Sequence, residues 1–202
     1  MINLLHGPEI QIYSYHDMRG QNVTLECSNI LQTQAILPRL NYSCSLVKQV
    51  IDSLKNKSME VKRSNHVLFS LVQDEDPECL KAIEIEKKIS FSLEILFNIE
   101  KRLDSISNID AIPRFLPTLV PMIRIISAQL NDILPRSSQQ LSELSVHLGS
   151  IILDSATITN AQFDFNQTNL DSTTLLDEVK LMVDSKINKQ YPHLYFFKGI
   201  HA

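Results

Sequence analysis

The chain has no tryptophan and only four glycines among 202 residues. Turn-rich β architectures need glycine at many tight corners, so this scarcity argues against an all-β fold and for long helices. No stretch reaches about 18 uncharged apolar residues, and no segment is expected to span a bilayer. The nearest approach, 109–134, is interrupted by Asp110, Arg114, Arg124 and Asp132. A charge at the bilayer centre costs about 2.5–3.5 kcal/mol. Cys27, Cys44 and Cys79 are an odd, scattered set without a CxxC. With no signal peptide at the N-terminus, the expectation is a reduced intracellular protein with structural thiols. The Asn-x-Ser/Thr triplets at Asn22, Asn41, Asn56 and Asn166 then carry no glycan.

The residues of catalysis are also missing. His6, His16, His66, His147, His193 and His201 never fall at a metal-ligand spacing, and no glycine-rich phosphate loop or Glu-x-x-His pair occurs. Glu84 and Glu86 sit two apart, on different faces of a helix, and read as solvated face residues. No enzyme activity, metal or cofactor is expected.

What the chain does have is helical periodicity. Val47, Leu54, Val61 and Leu68 repeat every seven residues, with Ile51 and Val72 alongside, and predict a long helix over 39–72. Ser58 and Asn65 interrupt the second column of that seam. Asp76-Pro77-Glu78 reads as cap, first helical residue and acidic first turn. A second helix follows over 77–106, in which Ala82, Ile85, Ile89, Ser92, Leu96, Ile99, Leu103 and Ile106 form a coiled-coil-like seam. Two long helices joined by so short a turn form an antiparallel hairpin.

Beyond it, 113–121 reads PRFLPTLVP. Pro113, Pro117 and Pro121 each remove an amide donor, so a persistent break is expected within 107–121, acting as a hinge. Helices over 121–134, then from a Ser137 or Ser138 cap to Leu153, carry Ile123, Ile126, Leu130, Leu141, Leu144 and Leu148. The fold class is thus all-α, a long antiparallel hairpin followed by shorter helices. The organisation is an N-terminal arm over 1–37, a core over 38–154, a polar linker over 155–172, and a C-terminal helix and aromatic tail over 173–202.

Charge is uneven although the net value is −4, which offers no global basicity for nucleic acid. From Arg39 to Gln73, Arg39, Lys48, Lys55, Lys57, Lys62 and Arg63 face only Asp52 and Glu60. Lys48, Lys55 and Lys62 are spaced by seven and share one helical row. Such a row is either a plain solvated face or a surface for anionic lipid, where each basic residue contributes about 1 kcal/mol. Nucleic acid is the weaker ligand because aromatics are not interleaved with the cations.

The order of these segments resembles the ESCRT-III-like proteins of archaeal cell division, the CdvB family. Arg102-Leu103, Leu119-Val120-Pro121, the Ile-rich 122–134, Pro135, and Leu141 with Leu148 match that family's pattern. VKRSNHVLFSLVQ at 61–73 resembles the end of its first helix, and LLDEVKLMVDSKINKQYP at 175–192 its terminal element. The resemblance implies a subunit that polymerises on the inner face of the cell membrane, peripheral and at the division site, for constriction and scission. Its implied partners are itself, paralogous subunits, anionic lipid, a AAA ATPase and a division scaffold. Leu175, Val179, Met182 and Tyr191 are the implied partner-binding residues. No winged-helix domain or proline-rich ATPase motif is found here. The alternative is a soluble helical adaptor that binds proteins without polymerising.

Overall fold

In the computed structural model the backbone is described over 2–6, 11–15, 23–71, 76–106, 111–159 and 165–192, with side chains over 35–71, 76–106, 111–157 and 167–192. Five helices build the fold: α1 (Val23–Leu71), α2 (Pro77–Asp104), α3 (Ile112–Leu130), α4 (Pro135–Thr159) and α5 (Phe165–Gln190). Before them, β1 (Ile2–His6) and β2 (Gln11–Tyr15) pair antiparallel, with Leu4 opposite Tyr13. The N-terminal arm therefore contains a hairpin and the first turns of α1.

Helix α1 begins 16 residues earlier than the heptad row predicts, and passes through Pro38. The ring removes one amide donor. Ile36 and Leu40, buried on either side, hold the turn in place. Val47, Val50, Ile51 and Leu54 form the buried seam, and Val61 and Leu68 continue it half-buried. Helix α2 starts as its sequence dictates: Pro77 takes the first turn and the Asp76 carboxylate accepts from the Glu78 N–H at 2.8 Å. Its buried row is Ile89, Ser92, Leu96, Ile99, Leu103 and Ile106, as the spacing predicts. At its start the row shifts by one position, so that Ile83 and Glu86 are buried while Ala82 and Ile85 are half-buried.

The helix expected to begin at Pro121 begins at Ile112, so of the range 107–121 in which a break was expected, the part from Ile112 onward is helical. Pro113 occupies the first turn, where amides have no intrahelical acceptor in any case. Pro117 and Pro121 lie inside a continuous helix, half-buried. The lost hydrogen bonds are offset by the opposite side of the helix. Ile112, Leu116, Leu119, Met122, Ile123, Ile126 and Leu130 are all completely buried. Any break is confined to the positions before Ala111, of which 107–110 lie outside the described residues.

The polar linker is also largely helical. Helix α4 runs to Thr159 and α5 begins at Phe165. Hydroxyls explain how polar residues stay helical here. Ser172 donates to Thr168 O at 2.7 Å, Thr173 to Asn169 O at 2.9 Å and Thr174 to Leu170 O at 2.9 Å. Each satisfies itself one turn back instead of competing with the helix.

α1 and α2 are antiparallel, as Lys48 beside Asp104 and Asn65 beside Glu86 require. α3 returns along α2, and α4 returns along α3 and α1. The four make an up-down-up-down bundle, so α3 and α4 lie alongside the hairpin instead of beyond it. Between α3 and α4, small residues let the backbones approach. Ser127 donates to Ser138 O at 2.8 Å, and Ser138 donates to Ser127 O at 2.7 Å. α5 packs on α2 and α3.

Candidate functional site: the hairpin face and its covering helix

The basic row forms along the edge of α1 that borders α2. Lys48, Lys55 and Lys62 are all exposed there, beside the buried seam. Most cations nevertheless have partners within the molecule. Arg39 contacts Asp154 Oδ2 at 2.6 Å and also donates to Ser150. Lys48 sits 3.9 Å from Glu100 Oε1 and 3.8 Å from Asp104 Oδ2. Lys55 is 3.8 Å from Asp52 Oδ1 and lies over the Phe97 ring, 5.3 Å from its centroid. Lys57 pairs with Glu60 at 2.8 Å. Lys62 and Arg63 are exposed with no ion pair among the described residues. Exposed pairs of this kind are worth about 0–1 kcal/mol, so the paired cations remain exchangeable.

The resemblance-derived residues of the C-terminal helix are turned mostly inward. Val179 is buried, with Val183 and Ile187 continuing its row onto the hairpin. Leu175 is half-buried against the core and Met182 is exposed. Two partly exposed ion pairs flank the row, Lys87–Asp184 at 2.8 Å and Lys186–Glu94 at 2.7 Å. At the start of the helix, Ser172 also donates to Thr118 O on α3, at 2.9 Å.

The end of α5 is held by a polar cluster that sequence reasoning missed. The Glu86 carboxylate, 1% exposed, accepts from Asn65 Nδ2 at 2.8 Å and from the Tyr191 hydroxyl at 2.9 Å. Gln190 Nε2 reaches the other oxygen at 3.3 Å. The Tyr191 ring packs edge-on to Phe69, with centroids 5.1 Å apart. Burial, reinforced by Glu86, pushes the Tyr191 hydroxyl up to about 12. Glu86 is thus no solvated face residue. The signal was Asn65, the polar interruption of the α1 seam, which needs a polar partner once the hairpin closes.

Between α1, α2 and α5 runs a cavity of about 240 Å³, lined by Lys62, Glu86, Leu93, Phe97, Lys186 and Gln190 among others. Among the described residues no three His, Cys, Asp or Glu side chains gather to hold a metal. No described helix is long and apolar enough to cross a membrane. Cys44 and Cys79 are buried thiols, and Cys44 is pushed up to about 11 by burial and by Asp104. The aromatic tail, Tyr195, Phe196 and Phe197, lies outside the described residues. No family model matches the chain, and no solved structure matches it.

Proposed function

We propose that the chain is a filament-forming subunit that works on an anionic membrane surface, of the ESCRT-III-like kind that constricts membranes in cell division. The observation that carries this reading is the way α5 covers the hairpin. Three buried aliphatic side chains, the half-buried Leu175 and Leu176, the Ser172–Thr118 hydrogen bond, two partly exposed ion pairs and one polar cluster hold a 26-residue helix. A cover fastened in large part by polar contacts is releasable, and its release exposes Leu93 and more of Phe97 on α2 for a neighbouring copy. Heterologous contacts that do not close then build a filament. Lys55, Lys62 and Arg63 supply the lipid-facing charge, and repetition along a polymer turns weak single contacts into avidity. The activity is assembly, with no chemical step and no cofactor.

A second reading, a helical adaptor that does not polymerise, is favoured by the partners already held by Arg39, Lys48, Lys55 and Lys57. One experiment separates the two. The full chain is pelleted at low salt with vesicles containing phosphatidylserine and the pellet is viewed by electron microscopy. Filaments on the vesicles are expected, and Lys55→Glu with Lys62→Glu and Arg63→Glu should abolish sedimentation while far-UV circular dichroism stays unchanged. A chain that remains monomeric and in the supernatant is the adaptor.

A further inference from the structure

The outer face of α4 differs from the other exposed helix faces. Leu141, Leu144, Leu148 and Ile151 are fully buried on its inner side. On the opposite side Gln139, Ser142, Val146, Ser150, Leu153 and Thr157 are all exposed, and none is charged. A helix face that meets only water carries charge, as α1 does at Asp52 and Arg63 and α5 at Asp177 and Glu178. Two of the α4 residues are instead apolar, Val146 at 70% exposed and Leu153 at 68%, seven residues apart and so in one row. Gly149 sits between them. Among the described residues it is the one glycine inside a helix. Glycine is the poorest helix former after proline, and a methyl group at this position would meet no atom within 4 Å. Nothing within the fold requires glycine there. A close approach from outside the molecule does.

The face is complementary to itself. About the midpoint between Gly149 and Ser150 it reads the same in both directions: Ser142 mirrors Thr157, Val146 mirrors Leu153, and Gly149 mirrors Ser150. Two copies of α4 laid antiparallel across a two-fold axis therefore set each Val146 against the Leu153 of the other. A leucine in a helix leans back toward the N-terminus by about one turn, which seats each Leu153 over the Gly149 of the opposite copy. The α1 side of the face supplies a charged edge. Arg39 is held there by Asp154 at 2.6 Å, and its carbonyl oxygen lies 3.3 Å from His147 Nε2. Glu143 lies on the same edge, contacts Gln139 at 3.0 Å, and has no ion pair among the described residues. Glu143 mirrors Ala156. The antiparallel arrangement thus brings it beside the Arg39–Asp154 pair of the second copy, where one guanidinium serves two carboxylates.

We propose that the outer face of α4 is a homodimer surface, its partner a second copy of this chain, with the two helices crossing antiparallel at Gly149. The contact is isologous and closes at two copies. Its seam from Gln139 to Thr157 is about 27 Å long, at about 1.5 Å per residue. A single helix from each bundle takes part, so the contact falls at the low end of specific interfaces, about 1,000 Å² in total, and is weak. It leaves α5 and the lysine row free, because α5 packs on α2 and α3 and the row borders α2. The dimer does not depend on the filament reading. Filaments, where they form, are joined back to back in pairs.

Sedimentation velocity of the full chain, without lipid, tests the contact. Wild-type protein should pass from monomer to dimer between about 1 and 200 μM. Val146→Glu with Leu153→Glu, and Val146→Arg with Leu153→Arg, alter only exposed positions. Each variant alone should associate at least about tenfold more weakly, and an equimolar mixture of the two should dimerise. That recovery also shows that both variants are folded. Gly149→Gln should raise the urea midpoint, because glutamine is the better helix former and has room in the monomer, and yet weaken the dimer. Orientation is read by oxidising a mixture of Val146→Cys and Leu153→Cys. Peptide mass should find an intermolecular disulfide between positions 146 and 153, distinct from any that involves Cys27, Cys44 or Cys79. A wild type that stays monomeric, a mixture that stays monomeric, or disulfides that join 146 to 146 and 153 to 153 instead each overturns the contact. The Val146→Glu, Leu153→Glu variant retains every α1 cation and all of α5. Its sedimentation with phosphatidylserine vesicles, together with a monomeric wild type in solution, would overturn the dimer and leave the membrane reading standing. A wild-type dimer that ignores vesicles would keep the contact and remove the membrane reading.

Discussion

The two ends of the bundle are built differently. At the base, α3 and α4 pack on the far half of α2 and the near half of α1 through an aliphatic core. Leu96, Ile99, Ile112, Leu116, Leu119, Met122, Ile123 and Leu130 are all fully buried. At the tip, the same hairpin buries Asn65 and Glu86 instead, and leaves Val67, Leu71 and Leu80 exposed. Burial of aliphatic side chains is non-directional and sums to a large term. A hydrogen-bonded cluster contributes about 1 kcal/mol per bond, depends on its geometry, and costs more when half of it is removed. The base is therefore the part that folds the protein, and the tip is the part that decides where α5 ends.

The sharpest way to break this comparison is to damage the base. Leu119 lies between Pro117 and Pro121, and its burial helps hold a helix that lacks two interior amide donors. Leu119→Ala should cost about 2–5 kcal/mol in urea unfolding, with all helices lost together. A loss well below that range would show that the base is not the stabilising half.

The base was also the more legible half. The three-four spacing of Ile89 to Ile106 predicted the buried face of α2, and Leu141, Leu144 and Leu148 are buried on α4 as their spacing required. What the sequence misled about follows from position, because local signals are ambiguous out of context. Prolines read as breakers are tolerated in a first turn, as at Pro113, and inside a helix when burial opposite them is sufficient, as at Pro117 and Pro121. Polar residues 165–172 read as linker, yet their hydroxyls and the docking of Ser172 on Thr118 O keep them helical. Lys48, Lys55 and Lys62 read as one row, solvated or lipid-facing, but the acids that Arg39 and Lys48 meet are contributed by α4 and α2 and enter only after folding. The tip cluster was invisible for the same reason. Asn65 and Glu86 are 21 positions apart, and neither is unusual until the hairpin brings them together.

A smaller effect is expected at that cluster. Glu86→Ala leaves the Asn65 amide and the Tyr191 hydroxyl without their acceptor, at about 1–3 kcal/mol. The loss should be local. Amide exchange should accelerate across 183–191 and stay slow in α3, whereas a uniform acceleration would mean that tip and base are a single cooperative unit.

The smallest expected effect is also the most selective, because each end carries one group whose proton is held by the fold. Tyr191 at the tip is raised from 10 to about 12 by burial and by the carboxylate it donates to. Cys44 at the base is raised from 9 to about 11 by burial and by Asp104. In both, the neutral form is favoured by folding, so the stabilisation is complete below the unfolded value and disappears as pH climbs through the folded one. The Cys44 contribution is lost between about pH 9 and 11 and that of Tyr191 between about pH 10 and 12. Tyr191→Phe removes one hydrogen bond, about 1 kcal/mol, and should abolish the upper part of the alkaline loss at 183–191 without changing the earlier loss near Cys44. The measurement is amide exchange as a function of pH, corrected for intrinsic exchange, in wild type and variant. If the variant flattens both transitions, the two ends are coupled through α2 and the hairpin responds as one rigid element; if it flattens only the upper one, α5 is fastened at the tip independently of the core that folds the chain.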